Sequence, residues 1–379
     1  MIKASLVFGG SFLNRKEFLG KMAASSLIAG AALTGYSYLQ LGPINELRRK
    51  KEFDTIAELN SDQSQIIELA SLAPSGHNTQ PWRLKINQPA NWTVTLTPDR
   101  LLPVVDPDQR ESWLSVGAFL ENLTLAANDL GYDAEMNPSS ASATVDVILK
   151  STTKKPFPLE KIEQRRTLKK NFRSRALSTK DLSQLLGNQA TGCDYFPMES
   201  TTGKFLSEIT LEANRLQVQR DDAQGELADW IRWTRQDAAQ HQNGLTPAGM
   251  EMPDWLRWYA QHFISREDVL GASFREQTLK MAEQQVRQGA GWLILFASGS
   301  TIADLVATGR NLQSIWLRAK ENNIAIHPMT QALEEATPRK MLADSLGRSG
   351  PVQFILRLGY VSEYLPPVSP RMPLSKILH

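Results

Sequence analysis

The stretch Gly117-Ala-Phe-Leu-Glu-Asn-Leu-Thr-Leu-Ala-Ala127 returns later as Gly309-Arg-Asn-Leu-Gln-Ser-Ile-Trp-Leu-Arg-Ala319, and this echo decides the fold. The offset is constant, 309 − 117 = 192 residues. In that register a glycine heads both copies, Leu120 matches Leu312, Leu123 matches Ile315, Leu125 matches Leu317 and Ala127 matches Ala319. Each copy reads as an amphipathic helix running into a short loop and an apolar stretch. A second pair, Val145-Asp-Val-Ile-Leu-Lys150 and Val352-Gln-Phe-Ile-Leu-Arg357, reads as β-rich runs bounded by turn residues, so each half should end on a buried strand. The repeat is too long and too few in number for a solenoid. The expectation is an α+β fold of two fused halves packed as an intramolecular pseudo-dimer. Its divisions are residues 1–54 as a signal or anchor segment, 55–155 as the first half and 156–379 as the second. The polar, proline-containing run Lys150-Ser-Thr-Thr-Lys-Lys-Pro-Phe-Pro158 links the halves.

Outward from the first repeat lies Ala73-Pro-Ser-Gly-His-Asn-Thr-Gln-Pro-Trp82. Leu59, Ile66, Ile67, Leu69, Ala70 and Leu72 recur at helical spacing before it, and Pro74 stops that helix by removing a donor and pushing its predecessor out of the α region. The chain then turns at Gly76, which lets backbone carbonyls and amides approach a flat ligand. Ser75, Asn78 and Gln80 donate and accept at once, which suits the edge of a ring carrying alternating C=O and N–H groups. Any one of these residues alone is also an ordinary turn residue.

The second half opens on Arg165-Arg-Thr-Leu-Lys-Lys-Asn-Phe172. Guanidinium groups with an embedded hydroxyl form a set suited to phosphate, although the same run would also serve as a solvated basic face. Farther along, Asp229-Trp-Ile-Arg-Trp233 is echoed by Asp254-Trp-Leu-Arg-Trp258. On helices, the two tryptophans of each string would share a face, either packing in the core or forming a flap hinged at Gly244 and Gly249.

Composition narrows the function. The chain of 379 residues has room for two modules or one large fused one. A net charge of +2 from 42 basic and 40 acidic residues, without long runs, gives no footprint for nucleic acid. The single cysteine, Cys193, excludes an internal disulfide, and none of His77, His241, His262, His327 and His379 stands in a zinc-ligand spacing, so no metal is assigned. No G-x-S-x-G elbow accompanies Ser75 and His77. Gly289-Ala-Gly291 lacks the third glycine of a dinucleotide fingerprint and precedes a strand.

At the N-terminus, Asn14-Arg-Lys-Glu-Phe-Leu-Gly-Lys21 stands before a short, weakly apolar stretch over residues 22–35. This is a signal-peptide layout. It resembles a twin-arginine signal with Arg15-Lys16 in place of the arginine pair, and Ala29-Gly-Ala31 offers a cleavage site. The expected location is the periplasm, with an uncleaved anchor in the inner membrane as the alternative.

The loop at 73–82, the Arg165-Arg-Thr167 start, the string His327-Pro-Met-Thr-Gln-Ala-Leu-Glu334, and Leu356-Arg-Leu-Gly-Tyr360 followed by Pro366-Pro-Val-Ser-Pro-Arg371 together resemble the fused, Acg-like group of FMN-binding nitroreductases. The resemblance spans about residues 55–379. It implies a nitroreductase-like fold in which Pro74, Ser75, Gly76, Asn78 and Gln80 border the isoalloxazine. Arg165 and Thr167, with Lys169, would meet the phosphate, and Arg371 would be a second phosphate contact. Thr330 and Gln331 would present backbone amides toward flavin N5, where the family commonly has Glu-Gly. The mirror-image site looks degraded, with only residues 189–197 and Arg48-Arg49-Lys50-Lys51 in its place, which implies one FMN per chain. Because the flavin carries the chemistry, no catalytic side chain is assigned. The partners implied are a small electron-poor acceptor (a nitroaromatic or quinone) and, as donor, a quinol, a redox protein or NAD(P)H. Competing expectations are a non-catalytic flavin-binding or flavin-sequestering protein, and a membrane-tethered interaction protein without cofactor.

Overall fold

The computed structural model describes residues 58–348 and 350–379; the expected signal and the run Arg48–Lys51 lie outside them. Helix α1 (Ser61–Ala70) starts at a reciprocal cap, with Gln63 N donating to Asn60 Oδ1 at 2.8 Å and Asn60 N donating to Gln63 Oε1 at 3.1 Å. This pairing satisfies two amides that a helix start would otherwise leave bare.

Two four-stranded sheets follow, and every pairing within them is antiparallel. The first contains β1 (Trp82–Gln88), β2 (Asn91–Leu96), β3 (Tyr132–Ser139) and β4 (Thr144–Ser151), in the order β1-β2-β4-β3. Helix α2 (Arg110–Leu130) connects its second and third strands. After α3 (Glu160–Gln164) and α4 (Thr179–Leu186) comes β5 (Cys193–Pro197), and then six helices that have no counterpart in the first half. These are α5 (Thr201–Gln219), α6 (Asp221–Trp230), α7 (Arg235–His241), α8 (Asp254–Phe263), α9 (Arg266–Leu270) and α10 (Ala272–Gln285). The second sheet is completed by β6 (Gly291–Phe296), β7 (Ile324–Pro328) and β8 (Val352–Tyr360), with α11 (Ile302–Ala319) between β6 and β7. Its order, β5-β6-β8-β7, repeats the first sheet strand for strand. The fold is α+β, and the duplicated helices are α2 and α11. Helices α12 (Gln331–Glu334), α13 (Ala336–Leu346) and α14 (Leu374–Ile377) close the chain.

The two repeated helices make the most extensive contact between any two elements. They cross where the repeat placed its glycines. A Cβ on Gly117 would lie 2.3 Å from Val306 O, and one on Gly309 would lie 2.0 Å from Leu114 O. Only bare backbone fits there. Polar contacts fix the register around the crossing: buried Gln313 Nε2 donates to Asn122 Oδ1 at 2.7 Å, and half-buried Arg310 Nε pairs with Glu121 Oε2 at 3.0 Å. Trp82, Phe119, Leu123, Ile315, Trp316 and Leu356 belong to one continuous core that runs through both halves.

The C-terminal segment returns to the first half, where His379 N donates to Leu84 O at 3.0 Å. The helical reading of residues 229–233 is corrected. Helix α6 ends at Trp230, and Ile231 then bridges to Leu245, so Trp230 and Trp233 enter different hydrophobic clusters. The later string, Asp254–Trp258, does lie on a helix. Among the described residues, no helix is long and apolar enough to cross a membrane.

Gly309→Ala is expected to force the two helices apart and cost about 1–3 kcal/mol or more, as overpacking of a closed interface does. Denaturant unfolding measures this, and a variant as stable as the parent would contradict the close crossing.

Candidate functional site

Residues 75–80 form a tight turn: Asn78 N donates to Ser75 O at 3.0 Å, Thr79 N to Gly76 O at 2.9 Å, and Gln80 N to Ser75 Oγ at 2.9 Å. The chain does turn here, but the left-handed backbone falls on His77 (φ 45°), Asn78 (φ 54°) and Gln80 (φ 55°) and not on Gly76. Space at Gly76 is tight, since a Cβ there would sit 3.1 Å from Glu111 Oε1 and 3.2 Å from Leu102 Cδ1, and those side chains would have to shift by a few tenths of an ångström. Three left-handed side-chain-bearing residues in four positions are costly, so surrounding bonds must hold them. They do. Asn78 Nδ2 donates to Gly244 O and Pro370 O at 3.2 Å each, and Asn78 Oδ1 accepts from Arg371 Nη1 at 2.9 Å. Arg371 Nη2 also donates to Leu72 O (3.1 Å) and Ala73 O (3.2 Å).

A cavity of about 520 Å³ opens beside this turn. Pro74, Ser75, Gly76 and Asn78 line it from the first half. Arg165, Thr167, Lys169, Thr330, Gln331 and Arg371 line it from the second. Ten of the eleven residues singled out in the sequence thus line one cavity, and three of the contributing segments meet at one atom: Leu72 O accepts from both Arg165 Nη2 and Arg371 Nη2, each at 3.1 Å. Gln80 is the exception. Fully buried, it donates through Nε2 to Gln242 O at 2.9 Å and accepts from Met372 N at 3.0 Å, so its amide splices three segments behind the turn instead of lining the cavity. Arg165 also stacks on Trp316, its guanidinium carbon 5.0 Å from the ring centroid.

The basic run is held by an acid from the segment before α8. Glu251 accepts from Lys169 N at 3.0 Å and from Arg166 Nη2 at 3.4 Å, while Lys170 Nζ donates to Glu251 O at 2.7 Å. This latch fixes a stretch that lines the cavity with Gly244, Gly249, Met250, Met252 and Trp255. Trp255 remains 53% exposed, at the solvent side of that stretch.

Burial dominates the electrostatics. Desolvation, followed by the charge of Lys169, lowers the His77 pKa to about 4, so its imidazole is neutral at physiological pH. Burial also depresses Lys169, against the opposing pull of Glu251. His327 is held neutral by burial and by Arg357, whose Nη2 lies 3.2 Å from His327 Nδ1. The opposite shift appears on the carboxylates. Glu111 is pushed up to about 8, first by burial and then by Glu334, and burial also raises Glu334. Thr330 Oγ1 and Gln217 Nε2 both donate to Glu334.

Sequence reasoning set His77 aside and did not single out Glu111, Glu251 or Glu334. An acid in the first turn of a helix is an ordinary feature, so Glu111 carried no signal. Glu334 lay inside the quoted string His327–Glu334, but only the packing of α12 on α5 turns it toward Gln217.

The raised carboxyl has a stability consequence. Folded Glu111 keeps a proton that the unfolded chain releases above 4.5, so its contribution is full below pH 4.5 and is lost as pH rises through about 8. Glu111→Gln should therefore flatten the decline in stability across that window. Thermal melts of both proteins measure it, and identical slopes would count against the buried proton.

Several curated relatives carry nitroreductase names. A protein of Mycobacterium tuberculosis, Rv3131, provisionally named an NAD(P)H nitroreductase, is 27% identical over 325 residues, covering 83% of this chain and 90% of its own. "Probable NAD(P)H nitroreductase PigM" of a Serratia species is 24% identical, covering 77% of this chain and 86% of its own. A nitroreductase-like protein of Bacillus cereus superposes with a TM-score of 0.33 at 13% identity over 60% of this chain and 96% of its own, too loosely to bear on the fold. No protein-family model matches. The chain is thus similar along most of its length to proteins named NAD(P)H nitroreductases.

Proposed function

We propose that the chain is an FMN-dependent oxidoreductase of the nitroreductase type, passing electrons to a small electron-poor acceptor. The observation that carries this reading is the convergence of residues 74–78, 165–170 and 330–331 on one cavity of about 520 Å³. That volume lies in the range of cofactor and small-molecule sites. The residues present fit a flavin in three respects. Cationic and hydroxyl groups at Arg166, Thr167, Lys169 and Lys170 suit a phosphate. Buried polar atoms without a hydrogen-bond partner, His77 Nδ1 and Gln331 Oε1, belong to the lining and suit the polar edge of a ring. Leu114, Ala118, Leu312 and Phe354 provide apolar wall.

When bound, the flavin would accept two electrons from a donor and release them to an acceptor. The chain's task is placement. Thr330 and Gln331 stand at the start of α12, where amides precede the first intrahelical bond and can donate to a ligand. Lys169 brings positive charge to the part of the lining suited to the phosphate. The flap residues Met250, Met252 and Trp255 limit the size of the acceptor and exclude water. The relatives' names favour NAD(P)H as donor; export of the chain would favour a quinol or redox protein in its place. We place the chain in the periplasm, as a monomeric pseudo-dimer holding one FMN.

Denatured protein should release one FMN per chain, measured by absorbance. Lys169→Met should weaken FMN binding about tenfold or more, the scale of one lost charge-assisted bond. Colourless protein that takes up no FMN would overturn the proposal.

The Glu251 latch favours a second reading, in which the flap sequesters the flavin from acceptors. Under that reading Glu251→Ala should speed anaerobic reoxidation of the reduced protein by a quinone at least about tenfold, as expected when a closed state is relieved. An unchanged, rapid rate in both proteins would reject sequestration.

A further inference from the structure

Behind the turn at 75–80 lies a second cavity, of about 1000 Å³, that shares no lining residue with the first. A single layer of chain divides them. Asn243 lines the second cavity and Gly244 the first, Met372 the second and Arg371 the first, and Ile231 lines the first between Trp230 and Arg232, which line the second. Three cations stand at one end of the second cavity. Arg100 and Arg232 are each only 8% exposed, and Lys376 reaches in from α14. Direct bonds tie the three together. Arg232 donates to Asn243 Oδ1 at 3.0 Å and to Asp229 O at 2.7 Å, while Gln80 Nε2 holds Gln242 O at 2.9 Å. Arg100 donates to Gln80 O at 3.3 Å and to Lys376 O at 2.6 Å, and Lys376 Nζ donates to Gln240 O at 2.9 Å. Every acceptor in this chain of bonds is a neutral oxygen, and N–H donors are left to spare on both guanidinium groups. Asp99, Asp229 and Asp237 act on the two arginines only from beyond ion-pair distance. The opposite wall is acidic, but its carboxylates are engaged: Glu226 accepts from Val104 N at 2.9 Å and Val105 N at 3.1 Å, and Asp229 pairs with Arg266 Nε at 2.6 Å.

We propose that this second cavity binds a small phosphate monoester, with its phosphate among Arg100, Arg232 and Lys376 and its hydroxyl-bearing body toward Glu226 and Asp229. A buried cation without a counter-charge is costly, and an anion bound beside it recovers part of that cost. Two guanidinium forks and an ammonium arriving from three segments suit a tetrahedral dianion, whose oxygens point in different directions; a planar carboxylate is satisfied by one fork. The carboxylates of the far wall accept from hydroxyls and repel a second anionic group, so the ligand carries its charge at one end. The site stands apart from the flavin reading, because none of its residues lines the first cavity.

Isothermal titration of the full chain with AMP at low salt should show saturable binding. Adenosine, which lacks the phosphate, should bind about tenfold more weakly or worse, the scale of a lost charge-assisted bond. Ribose 5-phosphate separates the two sources of that group: affinity equal to that of AMP makes the ligand a sugar phosphate, and weaker affinity makes it a nucleotide. Lys376→Gln, at an exposed position, should weaken AMP binding about tenfold. Gly225 offers a block that leaves the three cations in place, since it lines the cavity from α6 and a Cβ there meets nothing nearer than Arg266 Nη2 at 3.8 Å. Gly225→Leu, which also favours the helix, should abolish AMP binding while melting no lower than the parent. Lys169→Met, which alters the first cavity, should leave AMP affinity intact. A folded parent that binds no AMP, adenosine that binds as tightly as AMP, unaltered AMP affinity in either folded variant of the second cavity, or loss of binding in Lys169→Met overturns the site. If thermal melts show Gly225→Leu to be unfolded, Lys376→Gln decides.

Discussion

The whole molecule depends on the crossing of α2 and α11, where Gly117 and Gly309 let two backbones approach to a distance that admits no side chain. Both helices carry the apolar stripes of their own sheets, so the crossing joins two half-cores into one. Its polar contacts, Gln313 with Asn122 and Arg310 with Glu121, leave a single register. A one-turn slip would bury the amides without partners, and that penalty exceeds the value of any one apolar contact.

From this crossing follows the position of the cavity. The first turn of α2 carries Glu111 beside Gly76, while the last turn of α11 carries Trp316 beneath Arg165. The strained turn at 75–80 then has a rigid floor, and the returning C-terminal segment locks it through Arg371 and Met372. Arg165 and Arg371 accordingly spend donors on the carbonyl of Leu72, which makes them braces of the site as well as part of its lining.

The duplication has also been used asymmetrically. Between β5 and β6 the second half inserts six helices, whereas β1 and β2 form a short hairpin. The insertion supplies the covering stretch and Glu251, which reaches back to Lys169 and Arg166. One cavity is thereby covered, and the shared core below it stays closed.

Much of this was legible in the chain itself. The offset of 192 residues named the paired helices, and the order of turn, basic run and His327–Glu334 string named most of the lining, because local backbone demands and charge leave marks in sequence. Tertiary structure alone decided that Gln80 would splice segments instead of facing the cavity, that Trp230 and Trp233 would part into separate clusters, and that Glu111 and Glu334 would line one cavity. The reason is physical: those outcomes depend on which groups are desolvated together, and burial is set by how distant segments pack, which no local pattern encodes.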